Sequence, residues 1–194
     1  MWLTSEALVG ELVVLEPLLA SHCDELKEAV NDGQSWQLWY AAVPAPEDMQ
    51  AYVHKAIAAM EHGEMAYVVK TKHDGKVVGT TRFYDVKEKH RRASIGYTWY
   101  SDAVKRTGVN TESKYLLMSH LFDTKGAFSL EFKTHFFNQT SRSAIEKLGA
   151  KLDGVLRSHQ VMPDGSIRDT AVYSILSHEW PAVKNNLIAR LRSN

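Results

Sequence analysis

Apolar residues recur along the chain with two periods, and the switches between those periods delimit the elements. Leu12 to Leu15 reads as a first strand. Ser21 is placed to cap a helix from about His22 to Val30, with Asp24 in its first turn. A second helix is predicted from Pro46 to Glu61, opened by proline and two carboxylates and closed before Gly63. Met65 to Lys70 and Lys76 to Val86 read as strands joined through Asp74-Gly75, the strongest short hairpin signal in the chain. In the next strand, Arg92 to Trp99, alternation places Ala93, Ile95, Tyr97 and Trp99 on one face and Ser94, Gly96 and Thr98 on the other. A helix from Thr111 to Phe122, a strand from Phe128 to His135 and a short helix from Ser141 to Leu148, stopped by Gly149, follow. Strands Leu152 to Val161 and Arg168 to Leu176 meet at Pro163-Asp164-Gly165. The terminal helix starts near Ser177 and carries Trp180, Val183, Leu187 and Leu191.

The resulting order, β-α-α-β-β-β-α-β-α-β-β-α, predicts an α/β fold with a central mixed, mostly antiparallel sheet of about seven strands and helices on both faces. At 194 residues the expectation is one domain over residues 1–194. Apolar residues at 44% and charged residues at 24% are those of a chain that folds rather than one that stays disordered. Basic and acidic residues number 23 each, so no global field gathers nucleic acid or an anionic membrane, and neither is expected as a partner. The single Cys23 cannot form an intrachain disulfide, and cysteine spacing suggests no metal site. Met1 to Gly10 lacks the basic start and apolar run of a secretory leader, which leads to the expectation of a cytoplasmic protein.

Two stretches carry candidate chemistry. Lys105-Arg106-Thr107-Gly108-Val109-Asn110-Thr111 lies between a strand and the start of a helix. Such a loop exposes successive backbone N–H groups beside the positive end of the helix dipole, a setting for a pyrophosphate. It lacks the Walker pattern. The second stretch runs from Asn138 to Gly149; Asn138 or Thr140 can cap it, Ala144, Ile145 and Leu148 form an apolar stripe, and Gly149 ends it.

Together, and in this order, these stretches resemble the GNAT superfamily of N-acetyltransferases, and within it the branch that includes the ribosomal-protein alanine and serine N-acetyltransferases. The resemblance extends over Leu15-Glu16-Pro17-Leu18, Ile95-Gly96-Tyr97-Thr98-Trp99, Gly108-Val109-Asn110-Thr111-Glu112 with Lys114, and Leu130-Glu131-Phe132-Lys133-Thr134. It continues through Asp153-Gly154-Val155-Leu156-Arg157, Arg168-Asp169-Thr170 and Glu179-Trp180-Pro181. It implies acetyl-CoA as the coenzyme, no metal, and an amine as acceptor, most simply a protein or peptide N-terminal α-amine. It also implies coenzyme contacts from Tyr97, Thr98 and Trp99, from Lys105 through Thr111, and from Asn138, Ser141 and Arg142.

Where the superfamily loop has Gln or Arg, two residues, Gly, one residue, then Gly or Ala, this chain has Lys105, Gly108 and Asn110. Many members place a tyrosine as the acid seven residues after the helix asparagine, and here that residue is Ile145. The ribosomal branch implies Ser141 as the acid instead, with Asn138 beside it. Places where relatives put a basic glutamate hold Ser94 and Gln160, which leaves His135 and His159, with Glu131 behind them, as candidate bases among nine histidines. A peptide α-amine has a pKa of about 7.7–8.0, so only a mild base is required. Trp36, Trp39 and Tyr40 between the first two helices, and Arg82 and Tyr84 on one face of the third strand, are candidates for the acceptor groove. Alternatives are a small amine as acceptor, such as an aminoacyl-nucleotide, polyamine or antibiotic, and a binding module that holds acetyl-CoA without turnover. Relatives include monomers and homodimers, and the sequence does not select between them.

Overall fold

The computed structural model describes residues 2–193. Its strands are β1 (Leu8–Val9), β2 (Val13–Pro17), β3 (Met65–Thr71), β4 (Val77–Lys87), β5 (Arg92–Tyr100), β6 (Ser129–His135), β7 (Lys151–Val161) and β8 (Ile167–Leu176). They form one sheet in the order β1-β2-β3-β4-β5-β6-β8-β7, antiparallel throughout except between β5 and β6. The helices are α1 (Cys23–Asn31), α2 (Met49–Met60), α3 (Val109–Ser119), α4 (Gln139–Lys147) and α5 (Trp180–Arg192). The expected element order holds. The strand beyond the expected seven is the two-residue β1, too short to leave a periodic signal.

One core cluster packs Leu15, Tyr67, Phe83, Ala93 and Ile95 of the sheet against Leu117, Met118 and Leu121 of the α3 segment and Leu187 of α5. The other packs Ala66, Val68, Val77 and Trp99 against Leu26 and Val30 of α1 and Met49 and Val53 of α2. Helices thus cover both faces, and β3, inserted between β2 and β4, is buried on both sides. Each fully buried aliphatic or aromatic side chain contributes roughly 1.5–3 kcal/mol, so the two layers rather than any single bond hold the sheet.

Two local expectations are corrected. No side chain caps α1: a 3-10 turn over Ala20–His22 leads into it, and His22 Nδ1 accepts the Leu19 N–H at 3.1 Å, so Ser21 is not the cap. The even alternation expected along β5 is broken by a β-bulge. Arg82 pairs with Gly96 and Thr80 with Trp99, so Thr81 alone faces both Tyr97 and Thr98. One extra residue reverses the side-chain phase beyond it. Ala93 and Ile95 therefore lie in the first cluster while Trp99 lies in the second.

Glu112 fixes α3 to the edge of the sheet. Its carboxylate accepts the backbone N–H groups of Glu11 (3.0 Å), Leu12 (2.7 Å) and Val13 (2.8 Å). Charge-assisted bonds of this kind are among the strong ones. The contact requires Gly10, where a Cβ would stand 2.3 Å from Glu112 Oε2.

Candidate functional site

Beyond β5 the chain makes a 3-10 turn at Asp102–Val104 and enters α3 through Gly108, whose φ of 87° is left-handed. No side chain caps this end, and the first helical bond runs from the Glu112 N–H to the Gly108 carbonyl at 2.9 Å. The N–H groups of Val109, Asn110 and Thr111 therefore have no carbonyl within the helix, and they sit at its positive end. A second left-handed residue precedes Gly108, and it is Arg106, at φ 65°. Asn110 instead lies in the first helical turn. The side chain at Asn110 therefore meets no demand for glycine. Lys105 is ion-paired with Asp102, and Thr107 Oγ1 donates to the Val104 carbonyl at 2.7 Å.

Beside this helix end the sheet opens. β5 and β6 pair in parallel only through Arg92, Ala93 and Ser94 with Ser129, Leu130 and Glu131. Residues 95–100 of β5 and 132–135 of β6 run on without pairing to one another. The bulge lies in that diverging part of β5. Tyr97 has a φ of 51°, a conformation that costs a non-glycine residue of order 1 kcal/mol or more. Side chains hold it there: the Tyr97 carbonyl accepts from Thr80 Oγ1 at 3.0 Å and from the Tyr52 hydroxyl at 3.5 Å. Thr98 Oγ1 lies 2.8 Å from Thr81 Oγ1, and Lys114 Nζ donates to both, at 2.7 and 3.0 Å. Trp99, the third residue expected here, is buried against α1 and α2.

On the far side of the opening stands α4. Asn138 Oδ1 accepts the Ser141 N–H at 2.9 Å and caps the helix. Ser141 Oγ bonds to no described residue, while Arg142 donates through Nε to the Tyr173 hydroxyl (2.9 Å) and through a terminal nitrogen to the Phe136 carbonyl (3.3 Å). Ile145, where many relatives place a tyrosine, is a core residue.

The end of β6, next to this helix cap, is aromatic. Trp39, 57% exposed, lies edge-on to Tyr40 (5.4 Å) and to His135 (5.0 Å), and Phe137, 62% exposed, stacks on His135 at 5.8 Å. Trp36 has turned into the second core cluster and does not join them. Burial, then Arg168, hold the His135 pKa below the usual histidine range against an opposing pull from Asp169. The Phe137 N–H donates to His135 Nδ1 at 3.1 Å, which places the proton of the neutral ring on Nε2. His135 therefore presents a donor, and the proton-accepting nitrogen a base needs is occupied. His159 is exposed, with Nδ1 3.0 Å from Thr170 Oγ1. Glu131 is ion-paired with Arg92 and Lys133.

Arg82 and Tyr84 project beside α2. The Arg82 guanidinium lies 3.3 Å from a Glu64 oxygen and 4.1 Å from the centre of the Tyr97 ring. Tyr84 stands edge-on to Tyr97 at 5.3 Å, and burial pushes its hydroxyl pKa up. Tyr84 also lines an open cleft of about 480 Å³ with His62, Glu64, Asp85 and Lys87.

A helix N-terminus with free amides thus stands next to a gap between parallel strands. The model of the acetyltransferase (GNAT) domain matches residues 13–151. The chain belongs to this family. Among solved structures, this GNAT chain superposes on a GCN5-related N-acetyltransferase from Brucella melitensis with a TM-score of 0.89 at 30% identity, covering 98% of this chain and 87% of that one. RimL, a ribosomal L7/L12 alpha-N-protein acetyltransferase, shares the fold at a TM-score of 0.77 and 20% identity, over 88% and 94% of the two chains. Among curated proteins, the N-acetyltransferase YoaA of Bacillus subtilis (strain 168) is 32% identical over 101 residues, which are 52% of this chain and 56% of that one. The chain thus spans little more than half the length of that relative.

Several residues of this GNAT site carry no strong signal in the sequence. Tyr52, Thr80 and Thr81 come to the bulge from other elements, and nothing local marks them. Phe137 follows a strand and reads as a loop aromatic. Lys114 was legible in principle: it sits on the same helical face as Leu117, Met118 and Leu121, an odd place for a lysine.

Proposed function

We propose that this protein transfers the acetyl group of acetyl-CoA to a primary amine, and that the acceptor is the α-amine of a protein or peptide N-terminus. The observation that carries the reading is the juxtaposition of the uncapped α3 N-terminus at Gly108 with the gap between β5 and β6. That pairing fits the coenzyme: the amides of residues 109–111 would take its diphosphate, and the gap admits its arm between the strands. Asn138 and Ser141 on one side, and Tyr97 and Thr98 on the other, would flank the arm. Among the described residues no cluster suited to a metal ion is found.

When bound, acetyl-CoA supplies an activated thioester, and the chain's own residues have four tasks. Backbone amides grip the phosphates. The bulge at Tyr97–Thr98 would present the edge of β5 to the acyl end. Ser141, whose hydroxyl is uncommitted to other described side chains, would hold a proton for the leaving sulfur. His135 Nε2–H is a donor in the aromatic group and orients the acceptor rather than deprotonating it. An α-amine with a pKa of about 7.7–8.0 is partly neutral near pH 7, so loss of its proton to water suffices.

The choice of an N-terminal acceptor is supported by the exposed rings of Trp39 and Phe137, which could seat the first side chains of an extended peptide. RimL, which shares the fold, is named for a ribosomal protein's α-amine. The test is a panel of peptide N-termini and small amines incubated with acetyl-CoA and read by thiol release. Faster release with peptides bearing free α-amines than with polyamines or aminoacyl-nucleotides is expected. Release with small amines alone would overturn the acceptor. Coenzyme binding in calorimetry without release from any amine would overturn catalysis.

A further inference from the structure

Lys114 enters the sheet from α3, five positions after the helix begins at Val109. It is 5% exposed and forms no ion pair among the described residues. The charged groups of the neighbouring elements are committed elsewhere. Glu112 binds the backbone of residues 11–13, Asp123 takes Trp180 and Lys184, and Glu6 takes His120 and Lys125. Lys72 donates to the Gly10 carbonyl, Arg82 pairs with Glu64, and Lys105 pairs with Asp102, leaving the exposed Arg106 in the loop. The partners of Lys114 are two hydroxyls, Thr98 Oγ1 and Thr81 Oγ1.

Counting hydrogens shows which form fits. A neutral amine gives its two N–H groups to the two threonines, Thr81 can donate to Thr98, and Thr98 can donate to the Gly96 carbonyl at 3.3 Å. The ring then closes with no donor left over. An ammonium adds a third N–H for which the ring has no acceptor. Consistently, burial pushes the Lys114 amine down to about 7.

Such a group carries a stability cost, and its position shows what the cost achieves. Thr98 belongs to the bulge in the part of β5 that no longer pairs with β6, and α3 carries the uncapped N-terminus at Gly108. Lys114 is the α3 side chain hydrogen-bonded to that bulge. On the coenzyme reading above, we propose that Lys114 is a positioning residue: through Thr98 it holds the strand edge that faces the acyl end in register with the diphosphate grip on the same helix.

Two probes separate this role from a structural one. Calorimetry is run with acetyl-CoA and with 3′-phospho-ADP, which has the phosphates and no arm. Lys114→Met is expected to weaken acetyl-CoA about tenfold or more while leaving 3′-phospho-ADP within about twofold. The melting temperature should not fall. In the wild type the affinity ratio of the two probes should decline as pH is lowered from about 8 to about 6, where the ammonium disrupts the ring, and in Lys114→Met it should be flat. Thr98→Val removes the hydroxyl while preserving shape and should reproduce the selective loss, which keeps the test available if Lys114→Met does not fold. Equal effects on both probes, or none on either, in both variants would overturn the brace. A wild type that binds neither probe would instead overturn the coenzyme reading on which it rests.

Discussion

Replacing Lys114 by methionine should make the protein more stable near neutral pH, although it deletes two hydrogen bonds. The Lys114 amine falls from its ordinary 10.5 to about 7 in the fold. Each tenfold change in proton affinity is worth about 1.4 kcal/mol, so the buried amine costs the fold up to about 5 kcal/mol, reached at and below about pH 7. Methionine removes that cost and fills a similar volume. It forfeits two neutral hydrogen bonds, worth about 1 kcal/mol each, and the two threonine hydroxyls can still bond to one another. The net gain at pH 7 is about 3 kcal/mol.

The sign of the pH dependence follows from proton counting. Between about 7 and 10.5 the unfolded chain binds a proton that the folded chain does not, so wild-type stability rises with pH across that window by up to about 1.4 kcal/mol per pH unit. Below about 7 the cost is full and constant. Lys114→Met lacks this slope, and all other titrations cancel in the comparison. Urea unfolding of both proteins should therefore give an advantage to Lys114→Met at pH 7 that shrinks by about 3 kcal/mol by about pH 9.5 and then reverses. A stability difference that stays constant over this range would refute the reasoning, because it would mean that the lysine stays charged inside the fold. Stabilisation combined with a selective loss of acetyl-CoA affinity is the pattern of a residue retained for function.

Gly108→Val should abolish coenzyme binding in calorimetry, since a β-branched residue is strained at φ 87° and its side chain would crowd the helix amides; retained affinity would displace the anion site. Ser141→Ala should lower kcat about tenfold or more with little change in the KM for acetyl-CoA, and unchanged turnover would remove Ser141 from the proton path. Glu112→Ala leaves three buried or part-buried N–H groups without their acceptor and should cost about 3 kcal/mol, read as a melting temperature lower by roughly 6–12 °C. Phe137→Ala should raise the KM for a peptide acceptor severalfold while leaving acetyl-CoA affinity within about twofold, because its exposed ring belongs to the aromatic group with His135 and Trp39.

Local patterning was enough to set the element order of this protein. The Asp74-Gly75 turn, the glycine stop at Gly149 and the apolar stripe of the last helix all depend on neighbours within a few residues, and they appear where the periodicity puts them. The loop at Gly108 and the cap at Asn138 were legible for the same reason: a helix end is a local event, announced by glycine or by a short polar side chain.

What the sequence could not disclose are the features that need two distant segments. The bulge at Tyr97–Thr98 comes from a register mismatch with Thr81, so alternation in β5 alone assigns Trp99 to the wrong layer. The separation of Trp36 from Trp39 and Tyr40 depends on where His135 and Phe137 come to lie at the end of β6. The state of His135 is fixed by a backbone N–H two residues on, in a turn whose shape the sheet dictates. The helical pattern marks Lys114 as an odd lysine on an apolar face but says nothing of what surrounds its amine. Only the packing of α3 against β4 and β5 encloses it between two hydroxyls, because the dielectric around a charge is set by everything near it in space and by nothing in its neighbours along the chain.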